Sequence, residues 1–552
     1  MRRSTPITTC SRSENGAVTA RWNSFSLRLE GAGRFEVVVF EAIEDHSWER
    51  LVNEIVDLPC TIDLTPADGF NENGVLFFEL RALTEGTLTD AQWLTPQPPL
   101  RTPELQVSVT TFRREKAVAQ TAARFEAFAA QSPIGAHLRM VIVDNGQSVT
   151  LPPMAHVALV PNENLGGSGG FARGLIEAQN RGASHCLFMD DDASVHMGAL
   201  ERTWTFLAYA ERPDVAIAGA VANAQHRWQL WENGALFDRL CRPQHMGLDL
   251  RNFGEVLELE FDTIPRQPGN FYGGWWYFAF PVDQVKHLPF PFFVRGDDVS
   301  FSLVHDFDIV TLPGVISYQD EDFSVKETPL TVYLDLRSHL AHHLALPSME
   351  IGRTGLIRII ARFWMRSLLA CHYETLDAIA LACEDVLAGP EFFRNNADMA
   401  MRRQQIGALT QVERWAAAAP GARPRKSDRH RFSPANPLSR IVMKATLNGH
   451  LLPGFSRLGD DITLPASLRG ARRPIWGARS ITYVSGDGAK SYTVRHDKRK
   501  AWAVSRRIFG LMRQIWRGYD PLRDNWRAGY VALTERPYWE DRMGLKAEEP
   551  AA

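Results

Sequence analysis

HCLFMDDD, residues His185–Asp192, is the stretch on which the fold turns. Its apolar part, Cys186–Met189, reads as a strand buried on both faces. Three aspartates follow without a break: Asp190, Asp191 and Asp192. Carboxylates this close repel one another, and a divalent cation or full solvation relieves the repulsion. At the carboxyl end of a buried strand they stand where open α/β sheets bind their ligands. Asp190 and Asp192 would point to one side and share a hard cation, leaving open positions for diphosphate oxygens. Asp191, facing the other way, would reach a ribose.

Outward from this stretch, strands and helices alternate. LQVSVTTF (105–112), LRMVIVDN (138–145), HVALVPN (156–162) and VAIAGAV (215–221) read as further strands. Glu115–Ala130, with Val118, Ala122, Phe125 and Phe128 at helical spacing, reads as a helix, as do GGFARGLIEAQN (169–180) and Ala199–Arg212. Such alternation implies a parallel sheet with helices on both faces. Upstream, Phe25, Leu27 and Leu29 alternate with polar residues. Phe35–Phe40 and Val75–Leu80 are strand-like runs, so residues 1–100 are predicted to form a β-sandwich. Pro96, Pro98, Pro99 and Pro103 deny helix and mark the boundary. The α/β domain is placed at 101–345 and a mainly helical region at 346–552. There Arg358, Arg362 and Arg366 stripe one amphipathic helix, Pro420–Pro437 reads as a linker, and ITYVSGDGAKSYTV (481–494) as a hairpin.

With 552 residues, 45% of them hydrophobic, several cores are affordable. A formal charge of −3 gives no pull towards nucleic acid. The six cysteines are scattered without a C-x-x-C pair, which suits reduced thiols in a cytosol. Met1–Ala17 is polar, against a secretory signal, and no uncharged apolar stretch reaches the ~18 residues of a spanning helix.

Four further motifs bear on chemistry. In NLGGSGGFARG (Asn164–Gly174), Gly167, Gly169 and Ala172 fit the G-x-G-x-x-A dinucleotide fingerprint, which would make the chain a nicotinamide oxidoreductase. Asn162–Asn164 separate strand from glycines, however, and two strands precede the unit. The glycines better suit a backbone lying close to a sugar nucleotide. TTFRR (Thr110–Arg114) and Asp144-Asn145 end two neighbouring strands and would grip a nucleobase and ribose, Arg113 supplying donors. GGWWYF (Gly273–Phe278) offers Trp275 and Trp276 as a platform for a sugar acceptor. Asp297 and Asp298 open a helix. An inverting transferase needs one carboxylate as general base, and Asp298 takes that role with Asp297 positioning the acceptor. Together these motifs predict a metal-dependent transferase using a sugar nucleotide.

In this order, TTFRR, VDNG, NLGGSGGFARG, FMDDD, GGWWYF, GDDVSF and VTLPG (310–314) resemble the bacterial galactofuranosyltransferases of the inverting glycosyltransferase family 2 type, over about residues 20–345. The likeness is strongest to those polymerising mycobacterial galactan. The resemblance implies a GT-A domain with a Rossmann-like mixed sheet, an N-terminal β-sandwich and a C-terminal helical region supporting homo-oligomers. It also implies a UDP-galactofuranose donor, Mn²⁺ or Mg²⁺, and a glycan or lipid-linked glycan acceptor. Arg113, Asp144 and Asn164 would contact the nucleotide, with Gly167 and Asp191 beside it. Asp190 and Asp192 would bind metal, Trp275 and Trp276 the acceptor, and Asp298 would be the base. One departure stands out: where the family completes its metal shell with a histidine, this chain has Gln319. A second family histidine is replaced by Asp335.

Two features remain. Lys498–Arg517 carries seven Lys or Arg and no acid, interleaved with Trp502, Phe509 and Trp516. A basic amphipathic helix of this kind reads as a membrane-surface element, consistent with a cytoplasmic protein peripheral on the inner membrane face. His339, His342 and His343 have i, i+3, i+4 spacing but no strand-borne partner, and are taken as ordinary helix residues.

Overall fold

A computed structural model describes residues 2–3, 7–8, 24–65, 69–71, 73–191, 194–223, 226–263, 265–319, 327–418 and 436–545. Asp192 and Cys10 fall outside these, as does most of the linker expected at Pro420–Pro437. The chain forms two compact units. One comprises Met1–Asn164, Gly170–Leu288 and Phe301–Asp320; the other comprises Leu165–Gly169, Pro289–Ser300 and Glu321–Ala552.

In the first unit, β1 (Phe25–Ala42) pairs along its length with β2 (Trp48–Leu64). The other edge of β1 is shared: its second half pairs with β3 (Val75–Ala82), its first half with β4 (Thr87–Leu94). The change of partner falls at Gly31, whose φ is +146° and whose added Cβ would lie 2.0 Å from the Thr87 carbonyl oxygen. Phe25, Leu27 and Leu29 from one half and Phe35, Val37 and Val39 from the other enter one core. Both halves of β1 thus belong to one sheet and bury residues in one shared core.

The larger sheet has nine strands. Its labelled members are β5 (Leu105–Thr111), β6 (Leu138–Asp144), β7 (Val157–Pro161), β8 (His185–Asp190), β9 (Ser194–Val195), β10 (Val215–Asn223), β11 (His226–Glu232), β12 (Phe278–Pro281) and β13 (Asp308–Gln319). The order is β9-β13-β10-β12-β8-β5-β6-β7, with β11 beside β10. β7, β6, β5 and β8 are parallel neighbours; β12 runs antiparallel to both β8 and β10. This is the Rossmann-like mixed sheet that the resemblance implies; the antiparallel β12 departs from the parallel sheet expected from strand–helix alternation. Six strands therefore end on one edge, at Thr111, Asp144, Pro161, Asp190, Asn223 and Gln319.

Helices cover the sheet where the apolar spacing expects them. α1 (Glu115–Gln131) buries Val118, Ala122, Phe125 and Ala129. α2 (Gly166–Asn180) approaches β5 so closely that Cβ atoms at Gly170 and Gly174 would lie 2.2 Å from the Thr110 side chain and 1.7 Å from Ser108 Oγ. α3 (Gly198–Tyr209) follows, then α4 (Phe253–Thr263), whose Leu257 and Phe253 pack on Ala42, Val75 and Phe77 of the N-terminal sheet.

In the second unit, α5 (Asp297–Val304) begins at the acidic pair. α6 (Pro329–Ala345) is opened by a reciprocal Thr328–Thr331 capping box with Pro329 at its first position, and is buried almost all round. α7 (Gly352–Leu369) and α8 (Tyr373–Ala388) pack with it. The basic segment is a helix, Lys498–Arg517, capped by the Asp497 carboxylate. The hairpin forms from Ala478–Val484 and Lys490–Arg495. No described helix is long and apolar enough to cross a membrane.

Candidate active site

The carboxyl edge of the large sheet gathers the predicted nucleotide and metal residues of the first unit. Backbone pairing sets Thr110 beside Asp190 and Thr111 beside Asp144. Asp144 is buried, and its carboxylate accepts from the amides of Gly146 (2.9 Å), Ser148 (2.7 Å) and Val149 (2.7 Å). What the fold asks of it is to hold this turn. Asn145 in turn accepts from Asn162 Nδ2 at 2.9 Å, joining two strand ends. Arg113 is exposed with a φ of +55°, its guanidinium 5.0 Å from the Phe112 ring centroid. Such a backbone conformation is uncommon outside glycine and collects at functional turns. Asn164 is partly buried just before α2.

Asp191 is tethered: Thr111 Oγ1 donates to it at 2.6 Å and Arg114 lies 3.6 Å away. Asp190, at the end of β8, is half-buried. After the undescribed 192–193 the chain returns as β9, where Ser194 pairs with Tyr318. That register brings the segment following the aspartates to within one residue of Gln319, which itself pairs with Asn223. Gln319 is buried and its Oε1 has no hydrogen-bond partner among the described residues. A buried acceptor left unpaired is costly, and an oxygen ligand of this kind would suit Mn²⁺ or Mg²⁺. Among the described residues there is no cluster of three His, Cys, Asp or Glu arranged as a metal site.

The two indoles part company. Trp275 is 5% exposed, edge-on to Phe171, Phe188 and Phe301 with ring centroids 5.0, 4.9 and 5.7 Å away. Its ring fills the core, so the expected platform does not extend to it. Trp276 keeps some exposure and donates from Nε1 to the Gly219 carbonyl at 2.9 Å.

In the second unit, Asp297 is buried and Asp298 keeps some exposure. Burial, then the charge of Asp298, pushes the Asp297 carboxyl well above the ordinary carboxylate range, against a hydrogen bond from Ser168. Burial raises Asp298 too, opposed by backbone amides, including that of Val299 at 2.8 Å. The loop before them is bent through Phe293, Arg295 and Gly296, all at positive φ. Groups on α6 hold it there. Arg337 donates to the Phe292 carbonyl, His342 Nε2 to that of Gly296 at 2.8 Å, and Arg295 pairs with Asp335 at 2.8 Å. His339, His342 and His343 are buried. His342, taken from sequence as an ordinary helix residue, thus braces the acidic loop. A histidine on a buried helix face was the only signal, and spacing alone does not say what it faces.

The glycines of the 164–174 segment have steric reasons. Gly166 has a φ of +69°, and its Cβ would lie 2.0 Å from the Phe293 carbonyl oxygen. Gly167 would meet Asp297 Oδ2 at 3.4 Å. A dinucleotide fingerprint opens the helix after a central strand; here the strand before it, β7, is the sheet's edge.

Comparison with known proteins finds relatives over most of the chain. The chain is 25% identical over 524 residues to galactofuranosyltransferase GlfT2 of Mycolicibacterium smegmatis, covering 88% of this chain and 79% of that one. It is 24% identical over 582 residues to galactofuranosyltransferase GlfT2 of Mycobacterium tuberculosis, covering 95% and 87%. No family model matches. Among solved structures, glucosyl-3-phosphoglycerate synthase of Mycobacterium tuberculosis superposes at a TM-score of 0.24 with 10% identity, over 43% of this chain and 78% of that one. A superposition that distant carries no argument.

Proposed function

We propose that this chain is an inverting, metal-dependent glycosyltransferase that moves galactofuranose from UDP-galactofuranose onto a glycan or lipid-linked glycan of the cell envelope. The observation that carries this reading is likeness to galactofuranosyltransferases over most of both chains. The buried aspartate pair opening α5 supplies the chemistry such an enzyme needs. A carboxylate with raised affinity for protons is matched to general-base work near neutral pH.

Asp298, the more exposed of the pair, takes the proton from the acceptor hydroxyl as it attacks C1 from the face opposite UDP. Asp297 accepts a hydrogen bond from the acceptor sugar. Arg113 and Asn164 hold the nucleotide, with Gly167 allowing close approach; Asp144 and Asp191 act there by keeping the neighbouring turns in place. Trp276 offers the acceptor an apolar surface. Asp190, Asp192 and Gln319 would hold Mn²⁺ or Mg²⁺, which when bound offsets charge on the departing diphosphate.

Trp502, Arg506, Phe509, Arg513 and Trp516 are all exposed along one helix, at intervals of four, three, four and three residues. Rings and guanidinium groups alternating on one face suit an anionic bilayer surface, and support a peripheral place on the cytoplasmic side. Flotation with anionic liposomes should be lost in Trp502→Ser/Trp516→Ser; unchanged flotation counts against it. Assembly into homo-oligomers belongs to the same proposal and is read by sedimentation.

The decisive assay is UDP release from a panel of UDP-sugars with and without Mn²⁺. Release from UDP-galactofuranose that depends on the cation is expected. No release from any donor, or NADH binding indifferent to Mn²⁺, would overturn the reading.

A further inference from the structure

We propose that Ser168 is a positioning residue of the transfer reaction, gripping the inner aspartate with its hydroxyl and the loop before it with its amide. The inference rests on the transferase reading above and adds a component to it. The Gly-Gly-Ser-Gly-Gly run invites a phosphate-cradle interpretation, but the structure commits its serine elsewhere. Ser168 Oγ donates to Asp297 Oδ2 at 2.9 Å, and Ser168 N donates to the Phe293 carbonyl at 3.1 Å. Ser168 is fully buried, so neither bond is exchanged with water.

Gly166 makes this grip possible. A side chain at 166 would run into the Phe293 carbonyl, whereas a Cβ at 167 would make only ordinary contact with Asp297 Oδ2 at 3.4 Å. Glycine at 166 lets the backbone close on the loop so that a short hydroxyl reaches the carboxylate. From its other side the loop is held by α6 through Arg337, Asp335 and His342. Among these braces Ser168 alone touches the Asp297 carboxylate. Among the described residues Asp298 is the charged group that acts on Asp297, while Arg295 in the loop pairs with Asp335 of α6 and His342 of α6 holds the Gly296 carbonyl. Against burial and the Asp298 charge, the Ser168 hydroxyl favours the ionised form of Asp297, the form that can accept a hydrogen bond from the acceptor. Ser168 thereby sets the pH above which the acceptor is seated.

Three proteins test this: wild type, Ser168→Ala and Ser168→Cys, the last nearly isosteric with a poorer donor. Steady-state rates are measured against pH in saturating Mn²⁺, and carbon-13 titration follows aspartate carboxyls, with Asp297→Asn assigning the signal. Ser168→Ala should lower kcat about tenfold, the size expected for one charge-assisted hydrogen bond. Donor KM should stay within about twofold, while the acid limb and the Asp297 titration both move to higher pH; Ser168→Cys should fall between. Folded variants whose kcat, acid limb and Asp297 titration match wild type overturn the proposal. If wild type releases no UDP from any donor yet the Asp297 signal moves in Ser168→Ala, the transferase reading fails while the Ser168–Asp297 link stands.

Discussion

Asp297 and Asp298 are adjacent in sequence and share a helix turn, yet their surroundings differ. Burial pushes the Asp297 carboxyl further up than that of Asp298, and Asp298, the more exposed, is the one proposed to meet the acceptor. Asp298→Asn should keep UDP binding and lower turnover about 10²–10⁴-fold, the span of general-base contributions; near wild-type turnover would remove Asp298 from the base role. Asp190→Ala should instead abolish the Mn²⁺ dependence of UDP binding, measured by calorimetry. Stability follows a different logic. Burial holds the folded Asp297 above its unfolded value, so the folded state binds the proton more tightly between the ordinary carboxylate range and neutrality. Stability is full below that window and declines as pH rises through it, a loss on the order of 1–2 kcal/mol for such a shift within a coupled pair. Asp297→Asn removes the ionisation, so its unfolding midpoint should exceed wild type at pH 7.5 and match it near pH 4. A lower midpoint at pH 7.5 would show the carboxylate to be net stabilising. The acids themselves were legible from residue type and position. Their unequal burial was not, because it depends on side chains distant in sequence.

Strands and helices formed where apolar periodicity placed them, because a buried face repeats locally. The hydrophobic run before Asp190 became a central strand, and helix α1 buried Val118, Ala122 and Phe125 as expected, with Ala129 rather than Phe128 fully buried beside them. Less visible was why α2 opens with so many glycines. Gly170 and Gly174, one turn apart, let the helix axis close on Thr110 and Ser108 of β5. Gly174→Ala should cost about 1–3 kcal/mol, as overpacking in a filled core does, and Ser108→Gly in the same chain should recover part of it. Denaturant unfolding of the single and double variants measures both. The indole pair teaches the same lesson from the opposite side. Trp275 and Trp276 have identical chemistry in sequence, but packing against Phe171, Phe188 and Phe301 puts one ring in the core.

The proline-rich stretch after residue 94 marks a boundary in the sequence, and the N-terminal sheet before it packs on the fold beyond it. Ala42, Val75 and Phe77 share an apolar cluster with Leu257 and Phe253 of α4, and the Trp48 ring stands 5.6 Å from that of Phe253. Deleting residues 1–100 would expose this face, so the truncated chain should aggregate or bind a hydrophobic dye that the full chain ignores; a monodisperse, cooperatively unfolding truncation would contradict this coupling.

What the amino-acid order determined by itself was the alternation of elements and the set of carboxylates and arginines at strand ends, since these follow from local periodicity and from a sheet's tendency to collect ligands at one edge. What only the folded chain decided was the state and footing of those groups. Gln319 is buried by the strands around it with its Oε1 unpaired among the described residues, and Asp297 takes its hydrogen bond from a serine 129 residues away. Contacts of that separation are created by chain closure, so no local pattern announces them.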